Sequence, residues 1–427
     1  MIDAQHIAAR VQALTLRLPA FTGLLVAFSG GRDSSVLLSL MARADVAPVR
    51  AVNVDHGLQP DIATQWLAHN AQFCEGLGVP FTRVSVDVAA HGGESLEAAA
   101  RRARYAALAG EARTGELVLL AQHESDQAET LLLQLLRGGG PDGLASMPTV
   151  SVLGETLMAR PLLDVTDADI AAYAHDQRLR WFEDPSNQDQ RFDRNFLRAV
   201  VMPSLRERWP SVDRTLSRGA QWQAEAAQLQ HQLGAADMRT VTIDGRVLSC
   251  GRLARLTSSR LSNTLRFAIR AAGLTTPSAQ RLAALQTLAL QTAGRGSVRW
   301  HGGVALRYRD QLHLLDELSP DPVSGWSAAL PTDHRLQLPH TFGTLALAAE
   351  RAHATLTVRF REGGERVPLA GGQHQALAKW FQQHGIPPWQ RSRMPLVFAG
   401  DTLIAIGEHR LSRWSEFVPG GALIWRR

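Results

Sequence analysis

Cysteine is almost absent from this chain: its 427 residues include only Cys74 and Cys250. Two thiols cannot form a disulfide framework, a four-cysteine zinc site or a cysteine-ligated iron–sulfur cluster. Long apolar runs are missing as well. No stretch approaches the roughly 18 residues of a membrane span, and Asp3, His6, Arg10 and Arg17 interrupt the opening segment where a secretory signal needs an unbroken apolar region. These absences predict a soluble, cytoplasmic protein with no membrane partner. Lysine is reduced to Lys379, every other one of the 45 basic residues being arginine.

What is present is a globular composition, 45% hydrophobic and 20% charged, long enough for about three domains. The formal charge of +5 is unevenly spread. Residues 351–427 hold eleven basic and five acidic side chains, a net +6, which leaves the first 350 near −1. The cationic surface therefore belongs to the C-terminal end, and guanidinium favours bidentate phosphate contacts there.

Along the chain, apolar runs at 24–28, 49–54, 81–88 and 117–121 read as strands, with helical patterns between them near 34–43, 61–77 and 95–113. Strand, helix, strand at this spacing predicts an α/β fold with a doubly wound parallel sheet, whose ligands bind beyond the carboxyl ends of the strands. Further helices are expected near 125–137 and 167–178, and this first domain is placed at 1–215. A small, mainly helical domain follows at 216–317, then a linker region at 318–344 around the Pro/Ser/Gly-rich LSPDPVSGW. A small β-rich α+β domain closes the chain at 345–427.

Directly after the strand LLVAF comes Ser29-Gly30-Gly31-Arg32-Asp33-Ser34-Ser35, and directly after that a helix. Two glycines allow close backbone approach, the helix N-terminus offers unpaired N–H groups, and the serines add hydroxyl donors, so the segment reads as a pyrophosphate cradle. The lysine and spacing of a Walker loop are missing, so transfer of a γ-phosphate is not implied. Four further features stand out. Asp55 and His56 end the second strand, which fits either a nucleotide neighbour or a plain turn. Arg101 and Arg104 share a helix face. His123, Asp126 and Glu129 recur every three residues into a helix, where first-turn carboxylates also complement the dipole. Arg194, Asn195 and Arg198 open an arginine-rich helix.

The SGGRDS loop resembles the PP-loop (N-type) ATP pyrophosphatase superfamily, which cleaves ATP between its α- and β-phosphates to adenylate a carbonyl oxygen. The blocks VNVDHGL, ESLEAAARRARY, HESDQAETLLLQLLRGGGPDGL, WFEDPSN with RNFLR, and the tail REGGERVPLAGG, KWFQQHGIPPWQRSRMPLV and AIGE are similar to the tRNA(Ile)-lysidine synthetase family. They are spread over essentially the whole chain. The resemblance implies ATP-dependent ligation of free L-lysine to C2 of the wobble cytidine of a tRNA(Ile) with a CAU anticodon, through an adenylated cytidine, releasing AMP and pyrophosphate.

It also implies residue roles. Ser29, Gly30, Gly31, Arg32, Asp33, Ser34 and His56 bind ATP, with Asp33 also orienting Mg²⁺. Arg104 stabilises charge developing in the reaction, Asp126 and Glu129 bind lysine, and Arg194, Asn195 and Arg198 meet the anticodon arm. Arg361, Arg366, Arg391 and Arg393 flank glycine or proline turns in the basic tail and are expected to project outward onto the acceptor stem. Trp380 and Phe381 are expected to pack inward. Two alternatives remain: a tRNA thiolase of the same superfamily, which the scarcity of cysteine disfavours, and an inactive nucleotide-gated tRNA-binding protein. Oligomeric state is left open.

Overall fold

The computed structural model describes residues 4–15, 21–56, 60–88, 96–183, 189–292, 295–318, 320–331, 335–340, 342–349, 352–369 and 371–426. Gly57 and Leu58 of the VNVDHGL block, Glu94 and Ser95, and residues 184–187 of WFEDPSN lie outside them. The chain divides into two compact units, Met1–His231 and Gln232–Arg427.

The first unit opens with helix α1 (Ala4–Thr15), strand β1 (Gly23–Ala27), α2 (Arg32–Ala44), β2 (Val49–Asp55), α3 (Pro60–Gly76), β3 (Phe81–Ser85), α4 (Leu96–Glu111) and β4 (Glu116–Leu119). It continues through α5 (Glu124–Leu136), the short α6 (Pro141–Leu144), β5 (Val150–Leu153), β6 (Thr156–Ala159), α7 (Asp167–Asp176) and α8 (Asp193–Phe196). A π-helical turn, Leu197–Val201, leads into α9 (Met202–Arg208), and the long α10 (Val212–Val241) follows.

The strand order is β3-β2-β1-β4-β6-β5, parallel except for β5 against β6. Strand β1 is apolar on both faces because both are covered, as central parallel strands require. Leu24 and Val26 join Val36, Leu37, Leu40 and Met41 of α2 and Ile170 and Tyr173 of α7 in one core, while Leu25 packs with Leu108, Val118 and Met158 in the other. Each fully buried side chain of this size contributes about 1.5–3 kcal/mol. The chain runs outward from β1 to β2 and β3, then returns to β4 on the other side of β1. That reversal opens a crevice at the carboxyl ends of β1 and β4, the switch point where such sheets bind ligands.

In the second unit, helices Cys250–Leu253, Ser258–Ala271 and Ala279–Leu290 match the expected helical region and pack on a five-stranded antiparallel sheet that the helical pattern had concealed. Two strands of that sheet form a hairpin, Gly303–Tyr308 against Gln311–Leu315. The segment expected as a linker at 318–344 is partly structural: Ser327–Ala329 and Arg335–Gln337 pair into the two larger C-terminal sheets. Those sheets enclose a core that includes Leu345, Val358, Val397, Ile404 and Trp414. The expected domain boundary at 215 also moves, because α10 carries the first unit to His231.

Candidate active site

The loop after β1 is built from its backbone outward. Gly30 takes φ +87°, and a Cβ there would sit 2.1 Å from Asn70 Oδ1 and 2.5 Å from Trp66 Nε1. Only glycine fits this position. Trp66 Nε1 donates to the Ser29 carbonyl at 2.7 Å, and the Phe182 amide donates to the Gly30 carbonyl at 2.9 Å, with the Trp66 and Phe182 rings stacked at 5.2 Å. Thus the loop is pinned from α3 and from the segment after α7. The Ser29 and Ser34 hydroxyls meet at 3.0 Å across the turn. Ser34 and Ser35 both donate to the Gly31 carbonyl at 3.0 Å.

Asp33 faces the second wall of the crevice. Its Oδ2 lies 3.4 Å from Nε2 of His123, which follows β4, and its Oδ1 accepts from Arg32 Nε at 2.9 Å. Burial alone would raise the Asp33 carboxyl, but the hydrogen bond and charge of His123, with those of Arg32, hold it below its ordinary value. Reciprocally, burial opposes the charge on His123, while Asp33, Asp126 and Asp167 raise its pKa. Arg32 also bonds Asp167, so it is engaged by two carboxylates. Asp33, His123 and Asp167 each offer a ligand atom, all within 4.8 Å of one another. Two carboxylates in this group fit a hard divalent cation, which takes oxygen ligands and keeps positions for phosphate and water.

Asp126 and Glu129 sit on the first turns of α5 and are buried. Asp126 Oδ2 accepts from the His123 amide at 3.1 Å, fixing the helix start. The arginines expected at the anticodon arm fold onto these same carboxylates. Arg194 bonds Glu129 Oε2 at 3.0 Å and Asp126 Oδ1 at 2.8 Å, while Arg198 bonds Glu129 Oε1 at 2.8 Å, Glu129 Oε2 at 2.9 Å and Asp126 Oδ1 at 2.9 Å. Asn195 turns away and donates to the Asp189 carbonyl at 3.0 Å. An open cleft of about 610 Å³ connects Asp33, His123, Glu129 and Arg198 to Arg206 and Arg214.

Arg104 is half-buried on α4, its Nε enclosed with no acceptor among the described residues. Burial, with the like charges of Arg101 and Arg194, pushes its pKa down. His56 is held below its ordinary pKa by burial and then by Arg104, so its imidazole is neutral near pH 7. Its enclosed Nδ1 has no partner among the described residues. Arg101, by contrast, is exposed and lies over the Tyr105 ring at 4.8 Å.

The tail arginines divide in two. Arg361 and Arg366 flank the turn at Gly363 and Gly364 and are both exposed, Arg366 lining a hollow of about 380 Å³. Arg391 and Arg393 depart from the expected outward orientation. Arg391 is 8% exposed and donates to the Ile386 carbonyl at 2.8 Å and to the Tyr308 hydroxyl at 3.2 Å. Arg393 pairs with Asp321 at 3.1 Å. The proline turn aims both inward, toward the hairpin and the segment that follows it, where Trp389 also packs edge-on to His313 at 5.0 Å. Trp380 and Phe381 are buried as expected.

Family comparison agrees with this geometry. Residues 4–205 match the PP-loop domain, 248–313 the TilS substrate binding domain and 356–423 the TilS substrate C-terminal domain. The tRNA(Ile)-lysidine synthase of Xanthomonas campestris is 40% identical over 417 residues, 94% of each chain. This chain belongs to the tRNA(Ile)-lysidine synthase family. Members from Methylococcus capsulatus, 40% identical over 92% of both chains, and Pectobacterium atrosepticum, 37% over 98% of both, extend the match. Two residues without a role in the sequence reading join the site. His123 was visible in the three-residue spacing, and Asp167 in the acidic start of α7, but nothing in either pattern says that both converge on Asp33.

Proposed function

We propose that this protein is an ATP-dependent ligase that joins free L-lysine to C2 of the wobble cytidine of tRNA(Ile) bearing a CAU anticodon, in the cytoplasm. The observation that carries the reading is His123, which meets the PP-loop Asp33 on one side and Asp126 on the other across the β1/β4 crevice, in a chain of this family. In the first step the cytidine O2 attacks the α-phosphorus of ATP and pyrophosphate leaves. In the second, the lysine side-chain amine attacks C2, the C2–O bond breaks, AMP leaves with that oxygen, and the amine loses its proton.

The residues divide the work. Backbone N–H groups of the Ser29–Ser34 loop and the N-terminus of α2 cradle the phosphates, and His56 borders the nucleotide. Asp33, with Asp167 beside it, would hold Mg²⁺, whose chemistry when bound is to neutralise triphosphate charge. Arg104 presents a cation to the α-phosphate and the adenylated oxygen. Asp126 and Glu129 take the lysine ammonium. Arg194, Arg198, Arg361 and Arg366 contact RNA phosphates. Sulfur delivery is disfavoured by the thiols themselves: Cys74 is buried, its pKa pushed up to about 12 by burial, and Cys250 is buried in the other unit.

The test is mass analysis of the wobble nucleoside after incubation with tRNA(Ile), ATP and isotopically labelled lysine, together with AMP release. Labelled lysidine is expected with the wild type. Asp33→Asn should abolish AMP release while tRNA affinity stays within about three-fold, since the RNA phosphates fall to the arginines and not to Asp33. Unmodified cytidine beside normal tRNA binding would refute the ligase reading.

A further inference from the structure

The lysine carboxylates and the anticodon arginines neutralise one another in this structure. Five charge-assisted hydrogen bonds engage three of the four carboxylate oxygens, and the fourth, Asp126 Oδ2, accepts from the His123 amide. An ammonium has three donors and no acceptor, and with Glu129 1% exposed beneath the guanidinium groups it reaches these oxygens where an arginine moves aside. Accessibility gives the order of the layers. The Glu129 side chain is 1% exposed and that of Asp126 12%, whereas Arg194 is 23% and Arg198 44% exposed. The arginines therefore cover the carboxylates from the solvent side, Arg198 outermost.

We propose that Arg194 and Arg198 are positioning residues that keep the lysine site closed with internal cations, and that transfer of Arg198 onto an RNA backbone phosphate opens it. This rests on the reading of Asp126 and Glu129 as the lysine site. The exchange conserves charge: one cation leaves the carboxylates for a phosphate, and the ammonium of lysine replaces it. Neither carboxylate is left buried and unpaired, a state that is strongly destabilising. The chain has a device for the movement, because Arg198 lies in the π-helical turn Leu197–Val201. A π turn holds one residue more than an α turn, so the turn can rearrange and re-aim its own side chains. Arg198 would then leave the α5 face without unfolding of α8 or α9. Lysine would enter only when RNA is in place, so that the two substrates promote each other's binding.

Calorimetric titration of L-lysine into the full chain holding a non-hydrolysable ATP analogue, with and without tRNA(Ile), tests this. For the wild type, tRNA is expected to tighten lysine binding about ten-fold or more, the size of one charge-assisted contact, and lysine should tighten tRNA by the same factor. Arg198→Gln should bind lysine tightly without tRNA, and tRNA should then change the affinity less than about two-fold. Arg198→Lys, which keeps the charge but loses the fork, should fall between. A folded Arg198→Gln with unchanged or weaker lysine binding overturns the proposal. If that variant does not fold, wild-type coupling in Arg198→Lys does so instead. Failure of the lysine reading is distinguishable: Glu129→Gln would then leave lysine affinity in the tRNA complex unaltered, whatever the Arg198 variants do.

Discussion

Replacing Arg104 by methionine should move stability and activity in opposite directions. The guanidinium is half-buried, its Nε has no acceptor among the described residues, and the like charges of Arg101 and Arg194 oppose it while Tyr105 supports it. A buried donor without a partner costs about 1–3 kcal/mol. Since the residue is only half-buried, the lower end applies, and about 1 kcal/mol should return when methionine fills the same space without a charge. In a unit of this size that corresponds to a rise in Tm of roughly 2–4 °C. Activity should fall steeply. If the idle donor is aimed at an oxyanion formed during adenylation, its loss costs about 2.7–4 kcal/mol of barrier, or 100- to 1000-fold in turnover.

The assay pairs calorimetric unfolding of the ligand-free protein with single-turnover AMP formation at saturating ATP, lysine and tRNA. Arg104→Lys should retain part of the rate, because it keeps the charge but not the planar fork. A structural arginine would behave otherwise. A lower Tm together with turnover within about three-fold of wild type would show that Arg104 supports the fold and not the reaction.

Three other expectations follow from particular contacts. Gly30→Ala places a Cβ against Asn70 and Trp66 at φ +87°, so ATP affinity should drop at least about ten-fold as the loop is displaced; unchanged ATP titration would show that the loop tolerates displacement. Arg50 Nε bonds Glu116 Oε1 at 2.7 Å at the start of β4, and that hydrogen bond, opposed by burial, holds the Glu116 pKa below its ordinary 4.5. The pair's contribution is therefore complete above about pH 4.5 and lost as pH falls through the folded-state value, so Glu116→Gln should cost about 3 kcal/mol at pH 7 and less at pH 3; an equal loss at both, in urea titrations, refutes the linkage. Arg361→Ala and Arg366→Ala should each lower the log–log salt slope of tRNA binding by about 0.7–0.9 with little change in stability, whereas Arg391→Ala should lower stability first; the reverse pattern in filter binding and thermal melts would reverse the division of the tail.

The catalytic unit was legible because its strands carry two signals at once. The apolar run of β1 is what a strand covered on both faces needs, and the glycine pair that ends it can only be a close approach. Helix spacing then orders β1 to β4, leaving little freedom in topology once crossovers are right-handed. The second unit lacks that redundancy. Its helices Ser258–Ala271 and Ala279–Leu290 have strong apolar periodicity, while the sheet beneath them includes strands of only three residues, Thr242–Asp244 and Val247–Ser249. Such strands are too short for alternation to show. The pairing of Ser327–Ala329 with Leu356–Arg359 is a contact across 30 residues that no local pattern in a Pro/Ser/Gly-rich stretch announces.

Site residues divide by a similar logic, that of local against distant charge. Composition and turn chemistry separate cations from anions but not free cations from paired ones. Arg361 and Arg391 both flank turns; one sits by a glycine pair near open surface, and the other turns inward to Tyr308, 83 positions away. Asp126 and Glu129 were read as receivers of a cation and Arg194 and Arg198 as receivers of an anion, two separate surfaces in the sequence. In the fold they are one cluster, spanning 65 to 72 positions, in which each pair satisfies the other. On the proposed reading, a ligase that brings a lysine ammonium and an RNA phosphate to one crevice has reason to keep their binding groups together until both arrive. Free carboxylates would collect any cation, and free guanidiniums any polyanion. Closing each upon the other makes the correct pair of substrates the combination that neutralises every charge when the cluster opens.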